Sequence, residues 1–256
     1  NNKEHIKKQN HIGVERLKPA VDWLLSMQNK DGGWASYEKK RAPQWIEVLN
    51  PSMLFENIMT EVTYTECSSA TMLGLKEFSE NYDYRQDDIK AALKRGSKFI
   101  QTKQDADGSW YGCWGVCYTY GTWFGIEGLL AAGFEGYKNG TPATEVKNGC
   151  DFLLSKQRAD GSWGESFEAC VQHKYIEHED GQIINTAWAL LALMKAKHPD
   201  QAAIERGIEF ILSRQEANGD FPQEGISGVF NGNCMETYTA YRNVFPLWAI
   251  ARYRKG

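Results

Sequence analysis

Rings and glycines alternate through Asp107-Gly108-Ser109-Trp110-Tyr111-Gly112-Cys113-Trp114-Gly115-Val116-Cys117-Tyr118-Thr119-Tyr120-Gly121-Thr122-Trp123-Phe124-Gly125, and this is where the chain has its clearest chemical potential. An aromatic face attracts a cation by about 0.5 to 2 kcal/mol, and by more when dry. Several faces around one hollow therefore stabilise a carbocation without offering it a nucleophile. The intervening glycines let rings approach the backbone closely. A second cluster of the same character runs from Gly228 to Phe245 and includes Phe230, Tyr238 and Tyr241. For any single ring, packing into the core is the default reading; the chemical reading rests on the clusters.

These clusters sit in a repeated frame. The pattern Gln-x-x-Asp-Gly-x-Trp occurs at Gln28–Trp34, Gln104–Trp110 and Gln157–Trp163, with a worn fourth copy at Gln215–Phe221, where Asn218-Gly219-Asp220 replaces Asp-Gly-x. Each copy follows a stretch with helical apolar spacing, such as Val21, Leu24 and Leu25, or Phe152, Leu153 and Leu154. Asp-Gly supplies a tight reversal, with a positive φ at glycine, and Gln offers a donor and an acceptor to unpaired helix-end groups. The Trp then packs as a structural plate against the turn. Trp34, Trp110, Trp163 and Phe221 are therefore read as structural.

More apolar helices are expected over Glu66–Phe78, Thr119–Ala132, Ile184–Ala196 and Tyr238–Tyr253, whereas Asp87–Thr102, Glu145–Lys156 and Ala202–Arg214 carry a charged face. A first helix is expected to begin near Arg16–Pro19, with proline in its opening turn. Apolar helices as an inner wall and amphipathic helices as an outer one give an all-α, incomplete α/α barrel, or toroid. The first interval between motif copies holds an insertion, Lys39–Met59, with no helical period, and irregular segments of this size often build functional walls. One domain is expected over residues 13–256, preceded by a polar extension over residues 1–12.

With 256 residues and 42% hydrophobic content the chain can bury a substantial core. A net charge of −4 without a basic stripe argues against a nucleic-acid partner. The six cysteines, Cys67, Cys113, Cys117, Cys150, Cys170 and Cys234, lack zinc-site spacing, so reduced, buried thiols are expected. The longest apolar run, Ala187–Met194, falls far short of the roughly 20 residues a spanning helix needs. A monotopic attachment is compatible with that.

The repeats resemble the QW motif of the triterpene cyclases. The segments Asp31–Lys40, Asn50–Cys67, Asp107–Gly128, Phe152–Cys170, Asn185–Met194 and Arg206–Tyr253 resemble the C-terminal half of an oxidosqualene cyclase of the lanosterol- or cycloartenol-synthase type. Gly115–Thr122 and Glu66–Ala70 are closer to the oxidosqualene enzymes than to the bacterial squalene–hopene cyclases, which tend to have Asn where this chain has Cys117.

The resemblance implies conversion of (3S)-2,3-oxidosqualene into a sterol-type tetracycle by acid-initiated cationic cyclisation, without a metal or other cofactor. It implies that Tyr37 stands near the early ring cations, and that Trp114 and Phe230 face developing cations. It places Tyr238 and Tyr241 near the later ring or side-chain end, and Ile58 at the constriction of the substrate channel. Cys67 corresponds to the cysteine that hydrogen-bonds the catalytic aspartic acid. It further implies peripheral, monotopic attachment to the endoplasmic reticulum membrane or a lipid droplet, on the cytosolic face.

The family's acid lies in an Asp-Cys-Thr-Ala-Glu segment, which this sequence does not contain. The N-terminal half of the enzyme is therefore expected as a missing partner, and the polypeptide alone is expected to be inactive. Two competing readings use the same helices. One is a protein prenyltransferase β-subunit, whose zinc would need ligands from Asp, Cys and His, although His5, His11, His173, His178 and His198 all lie away from the aromatic segments. The other is a non-catalytic helical interaction module.

Overall fold

Every complete copy of the repeated motif ties three helices together. In the computed structural model, which describes residues 12–256, the first such tie joins α1 (Val14–Ser26), α2 (Thr65–Asn81) and α3 (Gln86–Thr102). The Gln28 amide donates to its own turn at Gly32 O (2.7 Å) and to Ala92 O of α3 (2.9 Å). The Trp34 indole N–H donates back to Leu24 O of α1 (2.7 Å), and its backbone N–H to Ser68 Oγ of α2 (2.8 Å). Gly32, with φ 98°, and the Asp31 carboxylate, which accepts from Gly33 N–H at 3.1 Å, make the reversal.

The arrangement then repeats. Gln104 reaches Gly108 O and Glu145 O, both at 2.9 Å, and so joins α3 to α5 (Thr144–Ser155) around α4 (Tyr118–Ala131). Gln157 reaches Gly161 O (3.0 Å) and Ala203 O (2.8 Å), joining α5 to α8 (Gln201–Ser213) around α7 (Ile183–Ala196). Trp110 and Trp163 are fully buried and donate to Ile100 O and Leu153 O. In the worn copy Asn218 takes over the turn, accepting from Asp220 N–H at 2.8 Å, and Phe221 is as buried as the tryptophans.

The inner helices pack in the order α2, α4, α7 and α9 (Tyr241–Tyr253), and the outer helices α1, α3, α5 and α8 follow the same arc. Alternating apolar and amphipathic helices thus form an incomplete α/α toroid. Burial follows composition: α4 and α7 are enclosed nearly all round, while α3 and α8 bury one stripe. Phe245 and Trp248 of α9 lie edge-on to Trp123 of α4 at 5.7 and 5.4 Å, so α9 covers both α4 and α7.

Several local expectations change. α1 begins at Val14, which places Pro19 inside the helix rather than in its opening turn. α9 begins at Tyr241, after Tyr238. A short α6 (Glu168–Gln172) and two small antiparallel hairpins interrupt the helices: β1 (Trp163–Glu165) with β2 (Glu177–Gln182), and β3 (Gly228–Phe230) with β4 (Cys234–Glu236). Cys117 and Cys170, expected as reduced thiols, are joined by a disulfide. Cys67, Cys113, Cys150 and Cys234 are free. Residues 1–11, which hold His5, His11 and most of the expected polar extension, lie outside the described residues.

Candidate functional site

The N-terminal ends of the inner helices carry the unpaired amides from which a site can be built. Two buried glutamates satisfy amides of the aromatic segment, Glu165 at the start of α4 and Glu66 in the loop before it. Glu165, from β1, accepts the Tyr118 and Thr119 N–H groups at 2.8 and 2.9 Å and so caps α4 from a distant element. Glu66, in the first turn of α2, accepts the N–H groups of Cys113 and Trp114 on one oxygen, the latter at 3.1 Å. Its other oxygen has no hydrogen-bond partner among the described residues. Burial pushes the Glu66 carboxyl up to about 7 and raises that of Glu165. The loop between these two anchors carries Trp114.

The Trp114 ring is edge-on to Tyr64 at 5.6 Å and to Phe230 at 5.4 Å, and Phe230 is in turn edge-on to Phe55 at 5.7 Å. Four separate segments therefore contribute to one half-buried aromatic cluster. Backbone contacts fix it. Gly115 bridges Gly228 of β3, and Val116 N–H donates to Ser227 O at 2.9 Å. The turn between β3 and β4 also holds the insertion, because Tyr64 OH and Glu56 N–H both donate at 3.0 Å, to Asn231 and Asn233. The insertion thus forms one wall of the cluster.

Tyr238 lies against Gly228, where a Cβ would come within 2.3 Å of its ring. It also contacts Tyr241 at 4.8 Å, and Tyr241 meets Phe245 at 4.9 Å and Trp188 at 6.2 Å. Desolvation raises the pKa of both hydroxyls, so both stay protonated at neutral pH. Through β3 these tyrosines continue the Trp114–Phe230 cluster.

Cys67 follows Glu66 on α2 and lies 3.6 Å from Ser36 Oγ. Burial pushes its thiol up to about 12, so it remains an S–H donor. Tyr37 adjoins Ser36, but its side chain is 69% exposed; its backbone N–H is held by Glu61 at 3.3 Å. Ile58 is 46% exposed on the insertion. The structure brings Trp114 against Phe230 and Tyr238 against Tyr241, and leaves Tyr37 and Ile58 at the outer surface of the same end of the molecule.

A hollow of about 290 Å³ opens beside Tyr64, Glu66, Tyr111 and Cys113. Hollows of about 540 and 350 Å³ lie elsewhere, beside Lys76, Lys90 and Phe134, and beside His198, Trp248 and Lys255. Size alone would favour these two, but neither touches the aromatic cluster.

Sequence reasoning missed the roles of Glu66, Glu165, Tyr64 and Phe55. Glu66 stood out only as an acidic residue in the first turn of an expected apolar helix, which does not point to its partners in a distant loop, and Glu165, in a three-residue strand, carried no local signal. No local signal marked Tyr64 or Phe55.

Residues 2–255 match the family described as squalene-hopene cyclase C-terminal domain. The chain is 52% identical over 244 residues to the lanosterol synthase of Mus musculus, covering 95% of this chain and 33% of that protein. It is 51% identical over 248 residues to the cycloartenol synthase of Dictyostelium discoideum, covering 95% of this chain and 34% of that protein. The chain thus spans about a third of the length of the curated relatives it matches. Among solved structures, the ent-copalyl diphosphate synthase from Streptomyces platensis is similar in fold, with a TM-score of 0.57 at 18% identity over 90% of this chain and 36% of that one. The type II terpene cyclase MstE from Scytonema has a TM-score of 0.56 at 19% identity over 83% of this chain and 53% of that one.

Proposed function

Because this chain belongs to the squalene-hopene cyclase C-terminal domain family, we propose that it is the C-terminal part of an oxidosqualene cyclase, acting on (3S)-2,3-oxidosqualene to form a sterol-type tetracycle. The observation that carries the reading is the continuous aromatic surface Tyr64–Trp114–Phe230, whose Tyr64 caps the helix that carries Cys67.

In this reading an aspartic acid from outside the chain protonates the epoxide oxygen and the C–O bond opens. Alkene pairs then attack in turn, and the last cation loses a proton, so the product is an isomer of the substrate. A Cys67 S–H donated to the aspartate oxygen favours the conjugate base and so sharpens the acid. Trp114 and Phe230 face the developing cations, Tyr37 the early ones, and Tyr238 and Tyr241 the later ones. Ile58 borders the channel by which substrate arrives. Excluding water protects each cation from capture.

The substrate is apolar, so delivery from a lipid surface fits. Among the described residues no helix is long and apolar enough to cross a membrane. The insertion exposes Trp45, Val48, Leu49, Met53 and Leu54 together along the sequence, and such a patch supports peripheral, monotopic attachment to the endoplasmic reticulum membrane or a lipid droplet. The same pairing of family match and aromatic surface favours a cyclase over a zinc prenyltransferase or a helical interaction module.

The test is to substitute the chain for the matching third of the Mus musculus lanosterol synthase and incubate the hybrid with 2,3-oxidosqualene. A tetracyclic alcohol is expected from the hybrid and none from the chain alone. A folded hybrid that gives no cyclised product overturns the reading.

A further inference from the structure

Trp114 differs from the structural tryptophans in how it is held. The indole N–H groups of Trp34, Trp110 and Trp163 each bond a helix carbonyl, whereas the buried Trp114 Nε1 has no partner among the described residues. Its ring direction is set by packing and by its backbone; the β3–β4 hairpin holds the flanking Cys113 O, Gly115 and Val116, while the Cys113 and Trp114 N–H groups are held by one side chain. Glu66 accepts the N–H groups of both Cys113 and Trp114 on one oxygen, and it is only 4% exposed. Its other oxygen, without a partner among the described residues, lies in a residue that lines the hollow of about 290 Å³ together with Thr65, Thr102, Lys103 and Asp105. Through that hollow the carboxyl can exchange its proton with solvent.

We propose that Glu66 is the positioning residue of the aromatic surface: its carboxylate fixes the Trp114 backbone so that the indole meets the cation, and its buried charge, bonded to that backbone, adds to the attraction. This rests on the reading of Trp114 and Phe230 as a cation-stabilising surface. A carboxylate in a dry site acts over several ångströms with little screening, and charge-assisted hydrogen bonds are about twice as strong as neutral ones.

The charge is set by pH. Burial pushes the Glu66 carboxyl up to about 7, so it ionises across the neutral range. The groups facing it stay neutral there, because burial raises Tyr64, Cys67, Tyr111, Cys113 and Tyr120 still further. The acidic and basic side chains acting on this neighbourhood are Glu56, Glu61, Lys103 and Asp105.

The experiment uses the purified chain and two probes, the farnesyl trimethylammonium ion and its uncharged tert-butyl isostere, with binding followed by calorimetry between pH 6 and 8. The wild-type preference for the cation is expected to rise several-fold with pH. In Glu66→Gln it is expected to be flat and about fivefold or more lower at pH 8. Amide exchange at Cys113 and Trp114 is expected to quicken by about tenfold in the variant. A wild-type preference that does not change with pH overturns the proposal without any variant, as does Glu66→Gln with the wild-type profile. If wild type and Trp114→Ala alike show no preference for the cation at any pH, the reading of the surface fails, and the proposal with it. Unchanged amide exchange in Glu66→Gln overturns the clamp alone.

Discussion

Arg252 on α9 donates at 2.6 Å to Glu127 on α4, and the same Glu127 oxygen accepts the Trp123 indole N–H at 3.0 Å. Arg252 also donates to Leu191 O at 2.7 Å, so one guanidinium ties three inner helices. The Glu127 side chain is 5% exposed and that of Arg252 21%. The pair sits toward the C-terminal ends of the inner helices, away from the aromatic cluster. It holds α9 in place from the end opposite the aromatic cluster.

Removing Arg252 should therefore leave a buried carboxylate uncompensated. Arg252→Met is expected to lower stability by about 3 kcal/mol, read as a shift of the urea midpoint. Lys147→Ala, which breaks the exposed pair with Asp151, is expected to change it by less than about 0.5 kcal/mol.

The motif glutamines are unequal. Gln157 bonds two carbonyls and accepts from Arg206 at 2.9 Å, while among the described residues Gln215 reaches only Gly219 O. Gln157→Ala is expected to cost about 1 to 3 kcal/mol in chemical denaturation, and the exposed Gln215→Ala a few tenths.

Desolvation raises the Glu66 carboxyl from 4.5 to about 7, so the folded chain binds this proton more tightly than the unfolded one. The contribution is fully present below about pH 4.5 and is lost as pH rises through about 7. Relative to Glu66→Gln, wild-type stability is expected to fall by on the order of 3 kcal/mol between pH 4.5 and 8. Parallel slopes for the two proteins would contradict the assignment.

The Cys117–Cys170 disulfide closes a loop of 53 residues next to the segment that carries Trp114. Alkylation of the unreduced, denatured chain is expected to label four cysteines, and all six after reduction with dithiothreitol. The Cys117→Ser, Cys170→Ser variant is expected to be about 4 kcal/mol less stable.

In the hybrid cyclase, Trp114→Ala and Phe230→Ala are each expected to lower kcat by about 10- to 30-fold, the value of one to two lost cation–ring contacts. A fall in KM with unchanged kcat would assign the rings to substrate binding alone.

The helices were legible because helical periodicity is a local property. Observed boundaries for α2, α3, α4, α5, α7 and α8 lie within three residues of the expected ones. The turn chemistry was equally legible, down to Asn218 standing in for aspartate. Strands of three residues, such as Trp163–Glu165 and Gly228–Phe230, are too short to show an alternation and could not be read. Pro19 misled because its preference for a first turn was overridden by the packing of α1.

At the candidate site the sequence supplied residue types and a family resemblance, and through them Trp114, Phe230, Tyr238 and Tyr241. It did not supply the hold of Glu66 on a loop nearly fifty residues away, the pairing of Cys117 with Cys170, or the exposure of Tyr37 and Ile58. Sequence alone determined the repeating helix-and-turn unit, because each unit is specified by neighbours within a few residues. Tertiary structure alone decided which rings meet, which carboxylates are buried and which thiols pair. Those outcomes depend on contacts between distant segments, whose energies exist only once the helices have packed.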